Sequence, residues 1–402
     1  MEFKQLKDFE AFTDLSRRCY PGMNLLTAED QERYTTHRRK ISGYEDVHPV
    51  GLYDGSSLIG GYFAYDHRIQ VYDRKVEGAG IGTVAVDLPY KKQGHAKQII
   101  TKFLLDARKD GRIVTHLYPF QPSFYQKMGF GIGPELSVYQ FHPAHLPSFE
   151  SSLDVQMLTA DHIEDVHTCY QTWAGRTHGA TDIPPYGFTF LEKPEQHTIG
   201  VRNKGRLEGY MTFEFEAGGH FLENDLHIKN FFYTTKEAYQ TLVTQLHNQK
   251  DQVQSVRFPT FDEDFSFTLH NPVHVENHLI HSIYHKTAEQ GRGLMYRIMN
   301  IPAFLDAVTY HSFGRDTIRV GWTVKDSLLG ETYEGVWQFA AGRPSPTKEG
   351  AEVHIELDIG SFSSLMMGCV SLQSLEKSGR ATVSKPVDLF NHPEKPQCWT
   401  FF

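Results

Sequence analysis

Hydrophobic residues fall at helical spacing in some stretches and alternate with polar ones in others, and the two patterns take turns over the first 145 residues. Phe9, Phe12 and Leu15 lie about one turn apart within Asp8–Cys19 and predict an amphipathic helix. Thr27 followed by Asp30 is a capping signal for a second helix toward Lys40. Val50–Tyr53, Leu58–Tyr65 and Ile69–Arg74 read as short strands separated by Asp-Gly and Asp-His turns. A core strand Ile81–Val86 comes next, then a helix over 93–108, a strand Ile113–Tyr118 and a short helix near Ser123–Met128.

His142–Ser152, with two prolines and several serines, reads as a linker. A second α/β segment runs to about residue 285. In it Thr234 and Glu237 form a capping box for a helix carrying Ala238, Leu242, Val243 and Leu246, and Val253–Phe258 reads as a strand. This order loosely repeats the first segment but lacks a glycine-bearing turn like Gln93–Ala96, so no second catalytic centre is expected there. Lys286–Gly293 reads as the next boundary. Pro302 then opens a short helix Ile301–Tyr310. Ile318, Val320 and Trp322 alternate at period two, as do Val353, Ile355 and Leu357, and a helix is expected around Ser361–Met367. The tail Asn391–Phe402 finishes on Cys398-Trp399-Thr400-Phe401-Phe402, and such an aromatic end predicts a docked tail rather than a solvated one.

Composition narrows the class. A chain of 402 residues can bury two or three cores, and 40% hydrophobic with 22% charged residues is ordinary for a globular protein. The net charge of −9, without a long block of one sign, argues against a nucleic-acid binder. Cys19, Cys169, Cys369 and Cys398 lie far apart, which excludes a disulfide framework or a thiolate zinc site. No apolar run reaches the roughly 18–20 residues that span a bilayer, and Met1–Gln5 lacks a signal-peptide layout. A cytoplasmic protein without a membrane span is the expectation.

The stretch with most chemical content is Gly80–Ala107. A strand ending at Val86 meets a turn containing Pro89, Lys91, Lys92 and Gly94, and the turn runs directly into a helix. Ala96, Ile99, Ile100, Phe103, Leu104 and Ala107 give that helix a buried face. The start of a helix presents unpaired N–H groups and the positive end of its dipole, so a diphosphate can sit there. Gly94 permits close backbone approach, Ala96 leaves the helix start unobstructed, and the lysines add charge. The competing reading is a plain surface turn with solvated lysines.

Lys91-Lys92-Gln93-Gly94-His95-Ala96 resembles the Gln/Arg-x-x-Gly-x-Gly/Ala motif of the GNAT acetyltransferases, with Lys91 where Gln or Arg is usual. Phe120-Gln-Pro-Ser-Phe-Tyr-Gln-Lys-Met-Gly-Phe130 is similar to a segment of the Enhanced intracellular survival (Eis) family. The resemblance implies acetyl-CoA as co-substrate, and the residue pattern itself gives no reason to expect a metal. The pantetheine arm would lie on Val84, Ala85 and Val86, and the pyrophosphate on Lys92, Gln93, Gly94, His95, Ala96 and Lys97, with Phe120 and Gln121 also touching the cofactor. It further implies Tyr125 as the general acid for the departing thiolate and the α-carboxylate of Phe402 as the general base. Read without it, Tyr125 is a core aromatic flanked by Phe124 and Met128. An α-carboxylate of ordinary pKa is a weak base, so its part is to orient and favour a cationic amine. Phe401 stands where some members have an acidic residue.

The expected architecture is therefore α/β (α+β): tandem GNAT-like domains, each a mixed sheet flanked by helices, and a sterol-carrier-protein-like α+β domain. Residues 1–146 form the catalytic acetyl-CoA-binding domain, 147–287 a degenerate GNAT-like domain, and 288–402 the last domain with the active-site C-terminus. The expected activity is transfer of acetyl to a primary amine of a cationic small molecule, aminoglycoside-like or polyamine-like, or of a lysine side chain. The alternative is a lipid- or ligand-binding protein with a vestigial acetyltransferase domain. A homo-oligomer, hexameric by resemblance, is expected, with no nucleic-acid partner. Other groups carry less: His278, His281 and His285 have helix-face spacing without a carboxylate motif. Asp262, Glu263 and Asp264 read as a solvated loop, and His116 and Glu135 as alternative bases near the cofactor segment.

Overall fold

The computed structural model describes residues 1–402 except 219–222, 277–278, 282, 392–393 and 401–402. The chain divides into two compact units. One comprises Met1–Gly133, His178–Thr181 and the chain from Leu294 on; the other comprises Pro134–Thr177 and Asp182–Gly293.

The first unit is built on a seven-stranded sheet in the order Glu2–Gln5, Val47–Asp54, Ser57–Val71, Arg74–Val86, Val114–Leu117, Met295–Ile298, Gly131–Ile132. Neighbours run antiparallel except Arg74–Val86 and Val114–Leu117, which are parallel. Helix His95–Lys109 lays Ile99, Ile100, Phe103 and Leu104 on one face, against Tyr62, Ala79, Ile81 and Leu117. On the other face Phe12 and Leu15 of helix Phe9–Cys19 meet Val47, Phe63 and Ala85. Farther along that face, Ile69, Val71, Val76 and Val114 join the core of a five-stranded sheet. Its order is Arg343–Pro346, Glu331–Ala340, Ile318–Asp326, Val353–Asp358, Ala381–Val383. Helix Ile359–Met366 is buried along its whole length, and Ser364 Oγ donates to the carbonyl of Ile132 at 2.8 Å.

The second unit holds another seven-stranded sheet in the order Ala288–Gly291, Leu136–Phe141, Ser255–Thr260, Asn224–Tyr233, Arg206–Ala217, His197–Asn203, Asp154–Leu158. Helix Lys236–His247 packs Ala238, Leu242, Val243 and Leu246 onto it.

Several local expectations are corrected. Asp66 and His67 make no turn: Ser57–Val71 is one strand of 15 residues, because both polar side chains find partners on neighbouring elements. The chain reverses instead at Tyr72, in the left-handed region with φ 50°. The cap of helix Lys236–His247 is Thr235, which accepts from the Ala238 N–H, while Thr234 donates to the Glu208 carbonyl. The boundary Lys286–Gly293 contains the strand Ala288–Gly291. Leu279–His281 and Tyr284–His285 form a two-stranded hairpin, so the histidines have no helix face to share, and His278 lies outside the described residues. No described helix is long and apolar enough to cross a membrane.

Candidate active site

The strand Arg74–Val86 is the frame of the site. It pairs with Val114–Leu117 only from Gly78 to Gly80, opposite Val114 to His116, and beyond that no pairing holds the two strands together. On its other edge the register slips by one residue between Gly61 and Phe63, where the strand carries an additional residue. Within that bulge Thr83 is in the left-handed region at φ 51°. The next carbonyl, Val84, accepts the Tyr20 phenol at 2.5 Å, and the Val86 carbonyl accepts the Cys19 thiol at 3.2 Å.

The turn after Val86 is pinned by Asp87. Its carboxylate takes Arg18 through two hydrogen bonds at 3.0 and 2.9 Å and the Leu88 N–H at 2.8 Å. The Arg18 hydrogen bond, more than that from the Leu88 N–H, holds the Asp87 carboxyl below its usual range. The chain then enters helix His95–Lys109 through Lys92 at φ 62° and Gly94 at φ 88°. Gly94 is the N-cap and has no side chain to accept the first-turn amides. Alternating left-handed residues and free amides at a helix start make a concave anion receptor. His95 is buried, its Nδ1 faces Gln98 Oε1 at 3.2 Å, and its Nε2 has no partner.

These elements enclose a cavity of about 720 Å³ lined by Val84, Val86, Lys91, Lys92, Gly94, His95, Ala96, Lys97, Phe120, Gln121 and Tyr125 among others. Two residues of the expected cofactor set are absent from the lining: the Ala85 side chain is in the core beneath, and Gln93 donates to the Pro89 carbonyl at 2.9 Å. Cys19, Tyr20, Pro21, Gly22, Met23, Tyr90 and Phe124 also line the cavity and were not foreseen. The segment Cys19–Met23 lies some 70 residues before the Lys91–Ala96 motif, and no spacing in the sequence links the two. No carboxylate is among the lining residues.

Tyr125 sits on helix Pro122–Gln126, is 2% exposed, and has Phe120, Phe124 and Phe130 edge-on around its ring. Burial pushes its phenol well above the ordinary tyrosine range. It is thus both a core aromatic and a cavity wall.

His116 is fully buried at the last position of its strand that pairs with Arg74–Val86, its Nε2 2.5 Å from His67 Nε2. Burial, then His67, drives its pKa well down. Glu135 belongs to the second unit, where it pairs with Arg292 at 3.2 Å. Asp262, Glu263 and Asp264 are exposed. The tail is docked as far as Thr400. The Gln397 N–H reaches the His178 carbonyl at 2.7 Å, the Cys398 carbonyl accepts from Tyr118 at 3.4 Å, and Thr400 hydrogen-bonds Thr181. Phe402 and Phe401 lie outside the described residues.

Residues 3–133 match the sequence family described as an acetyltransferase (GNAT) domain, residues 185–298 match a second acetyltransferase (GNAT) family, and residues 301–399 match a sterol carrier protein domain. An uncharacterized N-acetyltransferase of Streptomyces avermitilis is 21% identical over 362 residues, covering 84% of this chain and 83% of that one. A GCN5-related N-acetyltransferase from Anabaena variabilis has the same fold, with TM-score 0.81 and 20% identity over the full length of both chains. Eis1 from Mycobacterium abscessus, likewise covered in full, gives TM-score 0.78 at 18% identity. With the helix-start receptor and the forked strand pair, these findings define a GNAT-class acetyltransferase, which uses acetyl-CoA as co-substrate. Its particular form is two GNAT domains followed by a sterol-carrier-protein domain, in a fold shared along the whole chain with Eis1.

Proposed function

We propose that this enzyme transfers acetyl from acetyl-CoA to a primary amine, at the cavity bounded by Val84, Gly94 and Tyr125. The observation that carries this reading is the uncapped start of helix His95–Lys109, with Lys92 and Gly94 both left-handed, opening into that cavity. Acetyl-CoA supplies an activated thioester. The amides of His95, Ala96 and Lys97 bind the diphosphate, with Lys91 and Lys92 adding charge. Val84 and Val86 offer backbone to the pantetheine arm where Tyr20 and Cys19 now cover their carbonyls.

Tyr125 then gives its phenolic proton to the departing sulfur. A phenol is protonated at neutral pH, as an acid must be, and the burial that pushes this one up makes it hold the proton more tightly until negative charge develops on the sulfur. The amine must be neutral to attack, and the base proposed from the family resemblance is an α-carboxylate at Phe402. Thr400 is held beside Thr181, next to the strand that carries His67. The acceptor class, a cationic small molecule or a lysine side chain, rests on the same resemblance, as does a hexameric assembly.

Acetyl-CoA titration followed by an amine panel tests the reading. Saturable micromolar binding and transfer to at least one primary amine are expected. Absence of binding overturns the site, and transfer confined to uncharged or anionic amines overturns the acceptor class. Sedimentation of the purified chain tests the hexamer.

A further inference from the structure

We infer that Arg297, gripped by Asp326 of the C-terminal domain, is a positioning residue that holds the Tyr125 helix in register with the cavity. This rests on the reading of Tyr125 as the acid. Helix Pro122–Gln126 is only five residues long and cannot hold its own place in water. What fixes it is the turn that follows. The Tyr125 carbonyl accepts the N–H groups of Met128 at 2.9 Å and Phe130 at 3.1 Å, and Gly129 passes through φ 77°.

The guanidinium of Arg297 lies directly under this turn. Its Nη1 donates to the Met128 carbonyl at 2.7 Å, and its Nη2 is paired with Asp326 Oδ2. Arg297 is 1% exposed, so its charge is tolerated only with that partner. A Cβ on Gly129 would lie 1.6 Å from Arg297 Nη1, so Gly129 is glycine for two reasons, its φ and this contact. Asp326 is fixed in turn: its Oδ1 accepts the N–H groups of Leu328 and Leu329, both at 3.1 Å. A chain of hydrogen bonds thus runs from a turn of the sterol-carrier-like domain through Arg297 to the backbone that carries Tyr125. Arg297 itself is on Met295–Ile298, the strand that enters the first sheet after the whole second unit has been traversed. The C-terminal domain in this way positions the Tyr125 helix without itself lining the cavity.

The test is Asp326→Asn, which keeps the Oδ1 acceptor and removes the charge that grips Arg297, read in the full chain. Arg297→Gln is the more direct variant, but each single change strands one buried charge, Asp326 in the first case and Arg297 in the second, so the double variant Arg297→Gln/Asp326→Asn, which leaves neither charge there, carries the decision if the single ones do not fold. A displacement of about 1 Å at a reacting group costs up to about 100-fold. The kcat of Asp326→Asn should therefore fall between about 10- and 100-fold, with the Kd for acetyl-CoA unchanged within about twofold. Combined with Tyr125→Phe, Asp326→Asn should cost nothing further, because the group it positions is already gone. Glu331→Gln, which breaks the exposed pair with Arg108, should leave kcat unaltered. Full turnover by Asp326→Asn, or an equal loss in the Tyr125→Phe background, overturns the inference. Full turnover by Tyr125→Phe alone overturns the acid assignment instead.

Discussion

Gly94 and Tyr125 have opposite demands. Gly94 must be small because its backbone is at φ 88°, although open space surrounds the position a Cβ would take. Gly94→Ala should therefore weaken acetyl-CoA binding through backbone strain, about 1 kcal/mol or roughly five- to tenfold, with calorimetric titration as the check and an unchanged Kd as the contrary result. Tyr125 is large and buried, and walls the cavity. Its phenol is held above the ordinary range by desolvation, so proton loss from it comes later than from a free tyrosine. The kcat profile should show no alkaline limb from this group below pH about 10; a fall centred near pH 8 would assign the acid to another residue. The residue motif was legible in the sequence because Gly94 and the aromatics around Tyr125 are local. Tyr20 and Cys19 were not, since their role comes from packing onto Val84 and Val86, 64 and 67 residues further along the chain.

At the scale of elements, long periodic segments read truly and their edges did not. Helix His95–Lys109 and the alternating strands Ile318–Asp326 and Val353–Asp358 stand where the hydrophobic pattern placed them. The strand Ser57–Val71 was split at Asp66-His67 because polar pairs look like turns when their partners are out of view. Those partners, Arg112 and His116, arrive from elements some 50 residues later. The insertion of Met295–Ile298 between Val114–Leu117 and Gly131–Ile132 was equally out of reach, for no local property encodes which sheet a buried strand of four residues joins. This strand is buried at every position, so residues 1–133 expressed alone should expose its neighbours and aggregate. A monomeric, acetyl-CoA-binding fragment would contradict that.

At the scale of the first unit, one aromatic sandwich ties three stretches of chain together. Tyr72 stacks between His178 at 4.0 Å and His311 at 3.6 Å, and its phenol donates to the Met366 carbonyl at 2.8 Å. His178 Nδ1 accepts the Tyr72 N–H and its Nε2 faces the Met367 carbonyl, so the ring is held neutral with the proton on Nε2. Burial lowers both histidines to about 4. The unfolded chain takes up these protons below its ordinary histidine pKa near 6.5, and the folded chain does not. Stability from the sandwich is therefore complete above pH 6.5 and is lost as the pH falls toward 4, by roughly 3 kcal/mol for His178. Urea unfolding at pH 7 and pH 4.5 should show the drop, and His178→Gln should flatten it; a wild-type slope in that variant would assign the acid sensitivity elsewhere.

The central claim is that the cavity beside Gly94 holds acetyl-CoA and that Tyr125 supplies the proton there. Tyr125→Phe, assayed for both acetyl-CoA affinity and turnover with the best amine of a panel, tests it most directly. Removal of one hydroxyl from an otherwise intact aromatic wall should leave the Kd within about twofold and lower kcat by about 100-fold or more. Undiminished kcat would remove Tyr125 from the chemistry, and lost binding with kcat retained at saturation would make it a wall of the cavity and nothing more.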